Sequence, residues 1–254
     1  MLMAVDIGNT HVVIGLYEGE QLLHSWRLRS DRDRTVDEYA LEVLALLESA
    51  KCRPEMIARI ILCCVVPALT RVFVKLGQKY FNHEPFVVGP DTHTGISILY
   101  DDPRAVGADR IVNAVAGKKI FGAPVIIVDL GTATTFDVVD ENGAYQGGII
   151  APGVLISAEA LFSRAALLPS IEVIRPNQLI GKNTRDSMLS GIVYGYSALV
   201  EGLLERLKAE MTAKPRIIAT GGLARIIFEE TQSIDEIVPD LTLRGLQLLS
   251  EMNP

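Results

Sequence analysis

Within the first thirty residues, apolar and polar positions alternate in short blocks. Residues 2 to 7 make one apolar run, 11 to 17 a second and "QLLHSWRL" a third, separated by "GNT" and "EGE". Three strands this close in sequence predict an antiparallel meander. A helical period then takes over. Val36, Tyr39, Ala40, Val43, Leu44 and Leu47 recur at helical spacing behind Thr35 and Glu38, which make a capping box. "RIILCCVV" reads as a strand buried on both faces, Pro67 opens a helix to about Phe81, "PFVV" is a short strand, and a further helix starts near Gly107.

The same order recurs in the second half. "VIIVDL", "TTFDVVD" and "AYQGGIIA" predict a second meander, its last two strands joined at "DENG". Helices follow from Val154 and from about Thr184, then a buried strand "RIIAT", a helix start in "GGLARIIFEE", a short strand in "IDEIV" and a closing helix in "DLTLRGLQLLSEM". No linker separates the halves. They predict an α/β protein of two packed lobes, each βββαβαβα, divided as 1–117 and 118–254, with a cleft between them.

The candidate chemistry sits where the apolar pattern breaks. The first run ends in Asp6 and turns through Gly8 into Asn9 and Thr10; Asp129, Gly131 and Thr132 repeat that spacing at the same point of the second half. Such a turn presents backbone N–H groups, glycine lets a ligand come close, and small polar side chains add donors. A carboxylate there would repel phosphate unless a divalent cation lies between. The combination therefore suits a Mg2+-nucleotide, with Asp6 acting on the metal directly or through water. A single copy is an ordinary hairpin turn. Two copies in equivalent places would flank a phosphate chain. A third turn, Thr220-Gly221-Gly222, ends a buried strand and opens a helix, which favours an anion or a polar base and ribose. Together the three read as a split nucleotide site.

Composition narrows the partners. A net charge of −7 argues against nucleic acid or an anionic membrane as the main partner, and 49% hydrophobic residues suffice for a substantial core. Cys52, Cys63 and Cys64 are odd in number and two are adjacent, so they read as free thiols in a reducing compartment. His11, His24, His83 and His93 lack metal-ligand spacing. The N-terminus has no signal-peptide pattern, and "IILCCVVPAL" is too short to cross a bilayer. The expectation is a soluble, cytoplasmic protein with no membrane partner.

The paired turns and the Gly-Gly turn are similar to those of the acetate kinase, sugar kinase, Hsp70 and actin superfamily. Through "DIGNT", "CCVVPALT", "GADRIVNAVAG", "VDLGTATTFDVV", "GGIIAPGV", "RAALLP" and "IGKNTRDSMLSGIVYGY", in that order, nearly the whole chain resembles type III pantothenate kinases. The Cys63-Cys64 pair departs from the small residues, such as serine, expected there. The resemblance implies two RNase H-like (actin-like) lobes and ATP-dependent phosphorylation of pantothenate to 4′-phosphopantothenate, the first committed step towards coenzyme A. It also implies a homodimer that needs Mg2+ and a monovalent cation, K+ or NH4+. Carried over by position, Asp6, Ile7, Gly8, Asn9, Thr10, His11, Val12 and Val13 would hold ATP phosphates, and Thr132 would contact ATP from the second lobe. Asp129 would bind the monovalent cation. Tyr100, Gly107, Ala108, Asp109, Arg110 and Thr184 would bind pantothenate, with Asp109 as proton acceptor.

Elementary chemistry is compatible with these roles. An attacking alcohol needs a carboxylate to take its proton, and Arg110 can grip the carboxylate of pantothenate bidentately. On the residues alone, Asp109-Arg110 is also a first-turn acid beside a surface base, Thr184 an ordinary N-cap ahead of Asp186, and Tyr100 an amphipathic loop residue. Two other classes remain in view: a non-catalytic accessory protein on the same fold, and a sugar or acyl kinase of the superfamily. A Rossmann dehydrogenase is disfavoured, because the Asp-Gly turns lack GxGxxG spacing and lead into strands.

Overall fold

In the computed structural model, β1 (Leu2–Ile7), β2 (His11–Glu18) and β3 (Gln21–Arg29) form the first meander, as the alternation predicts. Residues 1–164 and 168–254 are described; Ala165, Ala166 and Leu167 of "RAALLP" lie outside the described residues. β4 (Arg59–Cys64) pairs in parallel with β1 and β5 (Phe86–Val87) in parallel with β4, giving the order β3-β2-β1-β4-β5. The second sheet, from β6 (Val125–Leu130), β7 (Ala133–Val139), β8 (Tyr145–Pro152), β9 (Arg216–Thr220) and β10 (Glu236–Ile237), runs β10-β9-β6-β7-β8. Read from the meander edge, the two orders are the same. In each sheet the strand that ends in the Asp-Gly turn lies at the centre, between an antiparallel and a parallel neighbour.

By spatial contact the chain forms two units. One comprises Met1–Gly95, Asp101–Ala116 and Leu241–Pro254, the other Ile96–Tyr100 and Gly117–Asp240. In the first, α1 (Val36–Ser49) and α2 (Pro67–Leu76) cover one face of the sheet. Their Tyr39, Val43, Leu47, Leu69 and Phe73 interlock with Met3, Val5, Ile7, Val12, Ile14 and Leu62 in a continuous core. The predicted capping box starts α1: Thr35 Oγ1 accepts from the Glu38 amide at 3.3 Å, and a Glu38 carboxylate oxygen accepts from the Thr35 amide at 2.7 Å. Pro67 occupies the first turn of α2, where its missing N–H costs nothing. The last helix, α7 (Leu241–Met252), packs on β1, β2 and β4 of this unit.

In the second unit, α4 (Val154–Arg164), α5 (Thr184–Glu210) and α6 (Ala224–Phe228) cover one face of the sheet. Val154, Ile192, Val193, Tyr196, Val200, Leu204 and Ile227 pack there against Ile126, Val128, Phe136 and Ile217. α5 is long and apolar enough to cross a membrane by length and composition, but half of its most apolar stretch is buried inside the protein. That burial is what a core helix shows. The remaining helix, α3 (Ala108–Phe121), begins within the "GADR" segment, with Asp109 in its first turn.

Candidate active site

The first turn is built by β1 and β2. The Gly8 amide donates to the His11 carbonyl at 2.9 Å, which closes the chain on itself within three residues. Asn9, Thr10 and His11 are exposed at its tip, while Ile7 and Val12 are anchored in the core and Asp6 is half-buried at the carboxyl end of β1. A neighbouring loop braces the turn. Ser30 Oγ donates to the Gly8 carbonyl at 2.6 Å, the Ser30 amide donates to the Thr10 carbonyl at 3.0 Å, and Arg32 donates to Asn9 Oδ1 at 3.1 Å. Sequence reasoning missed Ser30 and Arg32; "RSDRDRT" carries no motif that would have marked them.

Although His11 is exposed as a residue, partial desolvation of its imidazole pulls it below its ordinary value, and the nearby Arg27 guanidinium lowers it further. His11 is therefore a neutral group at pH 7. The turn region from Asp6 to Val13 thus offers one carboxylate, backbone amides and no cation of its own.

Asp109 belongs to the same unit and lies near the same strand ends. The Cys63 thiol is pushed well above its ordinary value, first by complete burial and then by the charges of Asp6 and Asp109. Both carboxylates raise this one thiol, as charges on the same side of the unit do. Asp6 and Cys63 are register partners across β1 and β4. Asp109 keeps some solvent contact but is crowded by protein on most sides. That burial raises its carboxyl above the usual carboxylate value, against the downward pull of the Arg110 amide and guanidinium. The Arg110 amide donates to Asp109 Oδ1 at 2.8 Å. A raised carboxyl is a better proton acceptor than an ordinary one. Gly107 precedes it, and Arg110 is buried.

In the second unit the turn is tighter. β6 ends at Leu130 and β7 starts at Ala133, so only Gly131 and Thr132 lie between, and the Gly131 amide donates to the Ala133 carbonyl at 3.1 Å. Asp129 is the register partner of Thr220 across β6 and β9, which brings the Asp-Gly and Gly-Gly turns side by side. Gly221 has φ +95°. A Cβ there would lie 2.6 Å from the Leu130 carbonyl oxygen and 2.7 Å from Asp129 Oδ1. Only glycine combines that backbone with that approach. The sequence also predicts a helix N-terminus after this turn, but α6 has five residues and no side-chain cap, so its dipole contributes little. The glycines remain the useful part of this turn.

Tyr100 is held by the second unit. Ile98 bridges to Tyr145 of β8, the Leu99 amide donates to the Tyr145 carbonyl at 2.8 Å, and the Tyr100 ring lies 6.5 Å from that of Tyr145 against Gly147. Thr184 opens α5, but the cap is Asn183. Its Oδ1 accepts from the Asp186 amide at 2.9 Å and its Nδ2 donates to Asp186 Oδ2 at 2.7 Å. Thr184 instead lines a groove of about 1020 Å3 with Pro152, Met188, Ile192, Tyr196 and Leu199. Both residues are good caps, and the one already extended ahead of the helix takes the position.

Oxygen-only donors suit hard cations, and the residues present fit them. Among the described residues no group of three or more His, Cys, Asp or Glu is clustered, so a cation here would use one protein carboxylate with backbone and ligand oxygens. Asp6 offers that carboxylate in the first turn. Asp129 offers it in the second, in a cradle that a Gly221 side chain would fill.

These two sheets and their glycine turns define an actin-like and sugar-kinase-like nucleotide fold. Two solved structures share it: (R)-2-hydroxyglutaryl-CoA dehydratase component A from Acidaminococcus fermentans (TM-score 0.57, 14% identity, 97% of this chain and 94% of that one) and the inorganic polyphosphate/ATP-glucomannokinase from Arthrobacter sp. strain KM (TM-score 0.51, 14% identity, 100% and 99%). The family model for type III pantothenate kinase matches residues 2–206, and a type III pantothenate kinase from Geobacillus sp. (strain WCH70) is 50% identical over 253 residues, covering 100% of this chain and 98% of that protein. The chain belongs to the type III pantothenate kinase family, whose reaction is the phosphorylation of pantothenate in coenzyme A biosynthesis.

Proposed function

We propose that Asp109 is the general base for an in-line transfer of the ATP γ-phosphoryl group to the pantothenate alcohol. The observation that carries this reading is the half-buried Asp109 carboxylate in the first turn of α3, beside the buried Arg110 and in the same unit as the Asp6 turn. As the new O–P bond forms, the alcohol proton passes to the Asp109 carboxylate, and the O–P bond to ADP breaks. The Arg110 guanidinium anchors the pantothenate carboxylate. Gly107 and Ala108 leave room for the acceptor, and Tyr100 packs along it.

The ATP phosphates rest on Asp6 to Val13 and on Thr132, with Gly221 and Gly222 against the adenosine. Asp6 would hold Mg2+, which would supply charge neutralisation to the phosphates. Asp129 would hold a monovalent cation, K+ or NH4+, which would offset the repulsion between that carboxylate and ATP.

A cytoplasmic homodimer completes the reading. The support for a dimer is apolar exposure in the second unit: Leu161 and Leu199 line the Thr184 groove, and Leu155 and Ile156 of α4 and Leu179 and Ile180 ahead of α5 are exposed as well. Such a surface favours a covering copy of the chain.

The test is ADP release from Mg-ATP with and without pantothenate, in potassium, ammonium and sodium buffers. Stimulation by pantothenate supports the reading. Phosphorylation of a sugar or a carboxylic acid, with pantothenate inert, would sink it.

A further inference from the structure

Four residues form a row across the first sheet. Arg27 of β3 is opposite Val13 of β2, Val13 is opposite Asp6 of β1, and Asp6 is opposite Cys63 of β4. Residues opposite one another in neighbouring strands project from the same face. Trp26 and Leu28, on either side of Arg27, pack into the core under α1 and α2, so Arg27 points to the other face, that of Asp6 and Cys63. Strands lie about 4.8 Å apart, so the Cα atoms of Arg27 and Asp6 are separated by roughly 10 Å. Along this row the short Val13 stands between them. An extended arginine covers most of that distance.

Its charge has no protein counterpart. Among the described residues Arg27 makes no salt bridge, whereas Arg34 pairs with Glu42, Arg216 with Asp235 and Glu236, and Arg225 with Glu229. Its charge does reach the turn, because it lowers the neighbouring His11. A polyphosphate on this turn would meet Asp6, His11, backbone amides and, at the Asn9 tip, the Arg32 guanidinium already engaged with Asn9. On the Asp6 side the turn's own residues from Asp6 to Val13 supply no cation, and a guanidinium there matches phosphate oxygens in a bidentate fashion.

We infer that Arg27 is a further phosphate-contacting residue of the kinase reaction, giving its guanidinium to the phosphate oxygens of ATP. This rests on the ATP-dependent kinase reading above. Arg29 supplies the internal comparison. It lies on the same face but opposite His11, in a row that passes beyond the end of β1.

The test uses wild type, Arg27→Ala, Arg27→Lys and Arg29→Ala. Mg-ADP and adenosine binding are measured by calorimetry, and steady-state kinetics are measured in each substrate. Arg27→Ala should weaken Mg-ADP binding and lower kcat/KM for ATP by about 10- to 100-fold, the range of a charge-assisted phosphate contact. Adenosine, which has no phosphate, should bind as in wild type, and KM for pantothenate should stay within about threefold. Arg27→Lys should recover part of the loss, and Arg29→Ala should lose less than Arg27→Ala. Unchanged Mg-ADP binding in Arg27→Ala overturns the inference, and so does an equal loss for ADP and adenosine. If Arg27→Ala fails to fold, Arg27→Lys decides, and wild-type behaviour in that variant with Arg29→Ala impaired overturns it. The binding arms need no turnover. A wild type inert towards pantothenate therefore defeats the kinase assignment and leaves the Arg27 result to be read from Mg-ADP alone.

Discussion

A Cβ built on Gly107 would stand 2.6 Å from Oδ1 of Asp109, well inside van der Waals contact. The atom in the way is the end of a short, movable side chain, so an alanine there would displace the carboxylate rather than the backbone. Gly107→Ala should therefore leave thermal stability within a few degrees of wild type and lower kcat by at least about tenfold, since a misplaced reacting group costs rate steeply. Thermal melts and steady-state kinetics check this. Full activity in Gly107→Ala would mean that the Asp109 position is not critical.

The pH dependence follows from the same carboxylate. Burial holds the Asp109 carboxyl above its ordinary value of 3.8. A base must be ionised to act, so kcat/KM should fall as pH drops, along an acid limb displaced upwards from that of an exposed aspartate. Asp109→Asn should lose about a hundredfold or more in turnover and lose that limb. The stability sign is opposite to that of an ion-paired aspartate. With the native pKa above the unfolded one, this group favours the folded state at low pH, and that contribution is lost as pH rises through the native value. At neutral pH the asparagine variant should be at least as stable as wild type. A variant that melts early would mark Asp109 as structural.

Asp129 carries the third expectation. Its carboxylate sits in the cradle between the Gly131 and Gly221 turns, where an uncompensated charge would oppose phosphate. Activity should rise with potassium or ammonium over sodium, and Asp129→Ala should lose both rate and ion response. Equal rates in all three ions would remove the cation from this turn.

Which of these features the sequence could reveal depends on how local their cause is. The meanders, the Thr35-Glu38 box and the Asp-Gly turns were legible because each is written within a few residues. The docking of α7 on β1, β2 and β4 was not, since its apolar stripe fits either sheet equally well. The cap of α5 was misread by one residue, because asparagine and threonine compete for the same role. The Arg27 row was hidden by a bulge. A register shift between Leu16 and Tyr17 slides β3 by one residue; without it Trp26, not Arg27, would face Val13, and the two faces of β3 would be exchanged.

The last prediction concerns the buried thiol opposite Asp6. Cys63 is fully buried on β4 opposite Asp6, and burial, Asp6 and Asp109 all raise its pKa. Thiol reagents attack the thiolate, so this position is protected twice, by access and by ionisation. Cys52 is buried as well, and only Cys64 is half-exposed. Mild alkylation of the native protein near pH 8, read by peptide mass spectrometry, should therefore label Cys64 alone, and unfolding should expose all three. Because the Cys63 thiol stays neutral, its contribution is volume and polarity rather than charge. Cys63→Ser should keep activity within a few-fold. Cys63→Asp should be far worse, because a carboxylate buried opposite Asp6 would be desolvated and repelled by the charges of Asp6 and Asp109. Rapid labelling of native Cys63, or a Cys63→Ser variant as inactive as Asp109→Asn, would show that the thiol is either accessible or part of the chemistry.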